Sequence, residues 1–294
     1  MIKKPELISF IELAKGKIRD VRRYDSKFSN KIYDNHQKII ILFVKERLKL
    51  TYRGVIELLY VSSEICVAIG LKRIPKHSTL VKFAKRISAF LLDSLLAIKK
   101  AEIVAVDSTG FETESKSYYY QNIYNSKDKQ KTRRYDKLSI TIDTDKQLIL
   151  SQKIRRGPRN DNLDFKRLLK ELKMRYVVAD KGYDSKANNH FVLRKKAIPH
   201  IARKKNTRAY YEKLGKKLIF DEDIYHQRSK VETVFSVIKR KYGSIVRGKS
   251  FKSQEKEILC KLNVYNLDRE VKLFSLLIVG FHQSPLFRNG PAKN

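Results

Sequence analysis

Glu102-Ile103-Val104-Ala105-Val106-Asp107 is a short, nearly continuous apolar run that ends on a carboxylate. Such a run suits a strand buried on both faces of a parallel sheet. The pattern returns at Tyr176-Val177-Val178-Ala179-Asp180. Each of these strands delivers an aspartate as its apolar part ends. Between them, Leu138–Ile142 and Leu148–Ile154 alternate as strands, joined by a hairpin turn at Asp143-Thr144-Asp145-Lys146. Gly157-Pro158 closes that pair. Asn160 or Asp161 then caps a helix that runs through Leu172, with Leu168, Leu169 and Leu172 facing inward. A helix near Ser185–Arg194 and a strand near Ile198–Ala202 follow the second aspartate. A last helix spans Tyr225–Tyr242, with Gly243 as its stop.

The order is three strands, helix, strand, helix, strand, helix. That is the order of a ribonuclease-H-like domain: a mixed α/β sheet flanked by helices, with the first and fourth strands as parallel neighbours. Asp107 and Asp180 then meet. The last helix can supply a third carboxylate. Each helical residue turns about 100°, so with Arg228 at zero, Glu232 falls near 40°, Lys239 near 20° and Tyr225 near 60°. Val231, Val234, Val237 and Ile238 occupy a separate sector between roughly 180° and 300°. The helix packs with one side and presents Tyr225, Arg228, Glu232 and Lys239 on the other.

The spacing Tyr225-x2-Arg228-x3-Glu232-x6-Lys239 resembles the signature of the DDE-type insertion-sequence transposases of bacteria and archaea. The blocks Val106-Asp107-Ser108-Thr109-Gly110-Phe111 and Ala179-Asp180-Lys181-Gly182-Tyr183-Asp184 are similar to the first two acidic blocks of that family. The resemblance runs from about residue 50 to about residue 265. It implies that Asp107, Asp180 and Glu232 form a catalytic triad holding two Mg²⁺ or Mn²⁺ ions, with Asp107 bridging them. Carboxylates suit that task because hard divalent ions take oxygen ligands. By the same resemblance Arg228 and Lys239 contact phosphates beside the cut, and Tyr225 stacks or hydrogen-bonds near the strand end. The 52 residues from Asp180 to Glu232 leave no room for the large β-rich insertion that some relatives carry there.

Composition points to the same partner. The chain has 294 residues, 65 of them Lys or Arg, and a net charge of +34. A charge of that size repels itself, so a polyanion is its natural counterpart. Cys66 and Cys260 lie far apart in apolar stretches, without disulfide or zinc spacing, and read as core thiols of a reducing compartment. No apolar leader precedes the fold, and Leu276–Val279 is too short to span a bilayer. A cytoplasmic, nucleoid-associated protein with no membrane partner is expected.

The region before the first strand is helical. Residues 1–30 are polar and basic, with room for one short helix. Ile39, Ile40, Leu42, Phe43 and Leu48 then recur at helical spacing. Further helices fit Thr51–Leu59 and Ser63–Ile69. Ser78 is a candidate cap for a helix with Leu80, Phe83, Ala84, Ile87 and Phe90 inward and Lys82, Lys85 and Arg86 outward. Short helices followed by a basic-faced one suit a small all-α, helix-turn-helix-like reader of DNA. The segmentation is therefore 1–97 for binding DNA ends, 98–270 for the catalytic domain and 271–294 for a tail. Aromatics and cations interleave between residues 112 and 134, with Arg133 and Arg134 as further DNA contacts.

Two other classes fit part of this pattern: a non-catalytic DNA-binding protein derived from such an element, and a nuclease of the same fold without strand transfer. Intact Asp107, Asp180 and Glu232 weigh against the first. The leading expectation is a transposase that binds double-stranded DNA at its element's terminal inverted repeats and at a target, as a homodimer on paired ends.

Overall fold

The computed structural model describes residues 5–96, 99–113, 135–157, 160–204 and 220–282, the last seven by backbone alone. The expected DNA contacts Arg133 and Arg134, and the rest of the segment 114–134, lie outside the described residues.

Six helices come first: α1 (Glu6–Lys17), α2 (Asn35–Arg47), α3 (Tyr52–Val61), α4 (Ser63–Ile69), α5 (His77–Arg86) and α6 (Ala89–Ser94). Asp34 caps α2 in a reciprocal pair with Gln37, which satisfies two backbone amides at the helix start. Ten of the thirteen α2 residues are buried, which makes α2 the axis that its neighbours surround. Gly70 ends α4 at φ 83°, where a side chain is disfavoured. Two details depart from the sequence expectation. Helix α5 begins at His77, behind Lys76 and without a Ser78 cap. Phe90 falls on α6 and is 81% exposed, because α5 has already ended at Arg86.

The sheet consists of β1 (Ile103–Thr113), β2 (Tyr135–Asp143), β3 (Ile149–Arg156), β4 (Tyr176–Ala179), β5 (Ile198–Ile201) and the two-residue β6 (Ile245–Val246). Its order is β3-β2-β1-β4-β5, with β6 pairing β1. β1–β2 and β2–β3 are antiparallel, and β1–β4 and β4–β5 are parallel. The connecting helices are α7 (Asn162–Leu169), α8 (Lys186–Arg194), α9 (Glu222–His226), α10 (Ser229–Tyr242) and α11 (Phe251–His282). This is the ribonuclease-H-like mixed sheet with helices on its faces and a helical region before it. The hairpin turn forms as read, with Asp143 Oδ1 accepting from the Asp145 amide at 2.9 Å. The α7 helix is shorter than expected; Asp161 makes no side-chain cap bond, and Asn160 Oδ1 accepts from the Asn162 amide at 3.1 Å.

Strand period two sorts the core. Val104, Val106, Val177 and Ala179 face one side, against Phe165, Leu168 and Leu169 of α7 and Val192 of α8. Ala105, Leu138, Ile140, Ile142 and Val178 face the other, against Val231, Val234 and Ile238 of α10. That second cluster is continuous with Ile258, Leu262 and Tyr265 of α11 and with Ile39–Val44 of α2. The long C-terminal helix thus binds the N-terminal helices and one sheet face into a single apolar body. It runs without a break past residue 271 to His282. Among the described residues no helix is long and apolar enough to cross a membrane.

Candidate active site

β1 is longer than its apolar run suggests, and Asp107 lies in its interior, paired with Ile140 of β2. A strand-end turn role is excluded for Asp107, because the ladder continues through Glu112. Its neighbour Val106 pairs with Ala179 of β4, so Asp180 stands one residue past the last parallel pair. Adjacent strands lie about 4.8 Å apart. Ala105 and Val178 face α10, so two residues on, Asp107 and Asp180 share that face. The register of two short apolar runs therefore brings both carboxylates to one place.

Glu232 arrives from the first turn of α10. The expected single helix over Tyr225–Tyr242 is in fact two. The chain tightens to i→i+3 bonds, with Gln227, Arg228, Lys230 and Val231 amides donating to Ile224, Tyr225, Gln227 and Arg228 carbonyls. Tyr225 consequently sits on the separate short helix α9, and the angular argument holds only for Arg228, Glu232 and Lys239. Val231, Val234 and Ile238 are buried as expected, joined by Phe235 and Tyr242. Gly243, at φ 92°, ends the helix.

The three carboxylates feel one another. Burial pushes the Asp107 carboxyl above its ordinary value. The Ser108 amide, donating at 2.8 Å, and the Arg228 charge oppose that push, while the Glu232 and Asp180 charges add to it. Asp180 Oδ1 accepts from the Lys181 amide at 2.7 Å, and Asp180 is exposed. Glu232 Oε1 accepts from Arg228 Nη1 at 2.7 Å. Burial works against the Arg228 charge, but the bond and charge of Glu232 outweigh it and hold the guanidinium's pKa above the ordinary value.

Lys239 lies two turns beyond Glu232, about 10 Å along the axis. Its ammonium stands 5.9 Å from the Phe111 ring centroid, and burial lowers its pKa against the pull of Glu112. It thus overlies β1 four residues past Asp107. Tyr225 stacks on Phe220 at 5.3 Å between ring centroids, within a chain of rings that includes His200 and Tyr176. Lys82, Lys85 and Arg86 are exposed along α5, well separated in the chain from the acidic cluster.

The donor set is all carboxylate, the set that hard divalent cations take. Among the described residues no three His, Cys, Asp or Glu side chains stand close enough to hold an ion as placed. Glu232 is occupied by Arg228, whose guanidinium is the cation standing at that carboxylate. The residue types suit a divalent ion, and as placed Glu232 is paired with Arg228.

Sequence reading missed the group behind Asp107. Ser108 Oγ donates to Asp161 Oδ1 at 2.7 Å, and Lys137 pairs with the same oxygen. Asp161 had signalled only a possible helix cap. It also missed Asp268 of α11, which accepts from Arg47, Lys241 and Tyr242 at 2.7, 2.6 and 2.7 Å. That carboxylate ties α2 to the end of α10.

The family model described as Transposase DDE domain matches residues 98–267, more than half of the chain. No curated protein matches the sequence. A solved structure, a cryo-EM piggyBac transposase synaptic complex with hairpin DNA, is similar at 12% identity and a TM-score of 0.47, covering 97% of this chain and 81% of that one.

Proposed function

The chain belongs to the family defined by the transposase DDE domain, and from that premise we propose that it cuts DNA at the ends of its own insertion sequence and joins the freed 3′ ends to a target. The observation that carries this is the convergence of Asp107, Asp180 and Glu232 from β1, β4 and α10, each near enough to bias the Asp107 charge.

In this reading Asp107, Asp180 and Glu232 would hold Mg²⁺ or Mn²⁺, two ions per site. The ions supply activation of the attacking oxygen and stabilisation of the leaving one. The chain's own residues position the DNA. Arg228 leaves Glu232 and offers its planar fork to a phosphate beside the cut. Lys239 supplies a point charge farther along the same strand. Tyr225, already stacked on Phe220, presents the edge of an aromatic platform to the strand end.

Specific binding of the element ends is assigned to residues 1–97, with Lys82, Lys85 and Arg86 of α5 toward the duplex, and catalysis to residues 98–270. The net charge of +34 supports a large sequence-independent footprint around both. Two copies acting on paired ends, in the DNA-containing compartment of a bacterial or archaeal cell, complete the proposal.

The test is incubation of the full chain with DNA bearing the element's terminal inverted repeats and Mg²⁺ or Mn²⁺, with nicks mapped at nucleotide resolution. Cuts at the element boundary followed by joined products support transposition. Cuts without joining reduce the protein to a nuclease. Binding without cuts removes the catalytic reading.

A further inference from the structure

A cavity of about 580 Å³ opens among the N-terminal helices, between the segment 24–33 and helices α2 and α5. One of its walls is unusual. Lys38 is only 9% exposed, yet its ammonium has no carboxylate within ion-pair reach among the described residues. Its one close partner is the face of Phe83, 4.7 Å from the ring centroid. The nearby acids are engaged elsewhere. Asp34 accepts from Arg23 at 2.7 Å and from the Gln37 amide at 2.8 Å, and Asp25 accepts from Asn35 at 2.8 Å.

Burying an ammonium without a paired anion is costly. Here a second cation makes it worse. Arg86, at the end of α5, lines the same cavity; burial, with the Arg86 charge adding to it, holds the Lys38 pKa below the ordinary value against the pull of Asp25 and Asp34. The remaining wall includes Ser26, Ser29, Asn30 and Thr79, with hydroxyl and amide groups, and the acidic Asp25. Asn35, 7% exposed, keeps a buried side-chain oxygen with no partner. Against the two cations the lining offers one carboxylate, Asp25, which already accepts from Asn35, so the lining keeps a net positive charge.

We propose that this cavity is a phosphate seat, in which Lys38 and Arg86 clasp one phosphate group and the hydroxyls of Ser26, Ser29 and Thr79 complete its hydrogen bonds. Arg86 belongs both to the cavity and to the exposed basic row of α5. A nucleic-acid strand lying on that row would therefore pass a backbone phosphate over the mouth. A free phosphate or phosphomonoester satisfies the same chemistry. The strand source rests on the DNA-binding reading above, whereas the phosphate seat does not.

The variant is Lys38→Met, which keeps an unbranched chain against Phe83 and removes the charge. Its control is Lys15→Met, an exposed lysine on α1 away from the cavity lining. Each full-length protein is melted with and without inorganic phosphate at about ten times the half-saturating concentration for wild type, which adds about 1.4 kcal/mol. The seat predicts a phosphate-dependent rise for wild type and Lys15→Met that Lys38→Met loses. It also predicts that Lys38→Met without phosphate melts no lower than wild type, because an unpaired buried charge has gone. Equal phosphate responses in all three proteins overturn the proposal. So does a lower melting point for Lys38→Met with an unchanged phosphate response, which makes Lys38 a packing residue. Binding of a duplex of about 20 base pairs across a salt series identifies the source. A slope reduced by about 0.9 relative to Lys15→Met assigns the seat to a DNA phosphate, and an unchanged slope assigns it to a free one.

Discussion

Arg228 and Glu232, one turn apart where α10 begins, share a 2.7 Å hydrogen bond that ties up the carboxylate expected to hold metal. The Glu232 side chain is 56% exposed, so the pair is screened and weak, of the order of 0.5 kcal/mol. A divalent ion displaces so weak a partner readily. Arg228→Gln should therefore tighten Mn²⁺ binding only about twofold, measured by Mn²⁺ resonance on the DNA-free protein. The same variant should slow single-turnover cleavage by a hundredfold or more, roughly 3 kcal/mol of lost transition-state interaction. Unchanged cleavage would return Arg228 to a purely helical role.

Asp107→Asn, Asp180→Asn and Glu232→Gln should each abolish cleavage and leave duplex affinity within about twofold, since each removes a proposed ligand and no cation. Asp107→Asn carries a second signature. A carboxyl held above its ordinary value by burial binds more protons folded than unfolded, so it destabilises the fold above that range. The asparagine variant should melt at or above wild type at neutral pH. Retained cleavage in any of the three would sink the triad.

Much of this site was legible in the sequence for a physical reason. A parallel strand buried on both faces must be apolar throughout, so Val104–Val106 and Val177–Ala179 announce themselves, and the element order then fixes which strands are neighbours. The Glu232 position followed from helical spacing against a valine-rich back. Tyr225 escaped because tightened i→i+3 turns at Gln227–Val231 leave no mark in composition. The extent of β1 past Asp107 escaped because Ser108, Thr109 and Gly110 carry no strand signal without their partners on β2. Asp161, Asp268 and Lys38 escaped for a common reason. Each is one charge among many, and only tertiary packing, with partners as far as 221 residues away for Arg47 and Asp268, pairs or buries it.

Lys82→Gln with Lys85→Gln tests the division of labour between α5 and the acidic cluster. Both side chains are exposed and far from Asp107 in the chain. The pair should lower the slope of log affinity against log salt by up to about 1.8 and leave the cleavage rate at saturating protein within about threefold. The measurements are a salt titration of end-DNA binding and single-turnover cleavage. A large fall in the saturated rate with an unchanged slope would place α5 at the reaction instead of along the duplex.

Asp136 supplies a pH test independent of catalysis. It is 2% exposed, and burial pushes its carboxyl up to about 6, with Arg156 opposing and Glu255 adding. Between the ordinary carboxylate range and that value the folded protein binds more protons than the unfolded chain. Its contribution to stability is therefore greatest at the acid end of that window and declines as pH rises through about 6. The melting-temperature difference between Asp136→Asn and wild type should accordingly shift in the variant's favour by a few degrees from pH 5 to pH 7.5. A difference that does not change with pH would show that Asp136 finds a partner when charged.

Asp268 carries the opposite sign and a larger effect. It is buried at the meeting of α11, α10 and α2, and its carboxylate accepts from Lys241, Tyr242 and Arg47. Burial alone would raise its pKa, but those three bonds and the Arg47 charge bring it below the ordinary value. A depressed carboxyl stabilises the fold fully above its unfolded pKa and loses that contribution as pH falls through its folded one. Asp268→Asn removes the charge and leaves Arg47, whose side chain is 9% exposed, with the solvent-exposed Glu6 at 3.1 Å as its remaining carboxylate. Breaking one side of a buried pair costs about 3 kcal/mol, which for a body of this size lowers the melting temperature by about 6–12 °C. Lys241, 38% exposed, reaches water and adds little to that loss. Because Lys241 and Tyr242 end the helix whose first turn carries Glu232, the variant should also weaken cleavage at temperatures where it remains folded. The readouts are a melt at pH 7 and at about pH 3, below the ordinary carboxylate value, where the gap between variant and wild type should begin to narrow, and a cleavage rate at 20 °C. A melting point within 2 °C of wild type would mean that the three donors are satisfied without Asp268, and that α2 and α10 are coupled only through their apolar contacts.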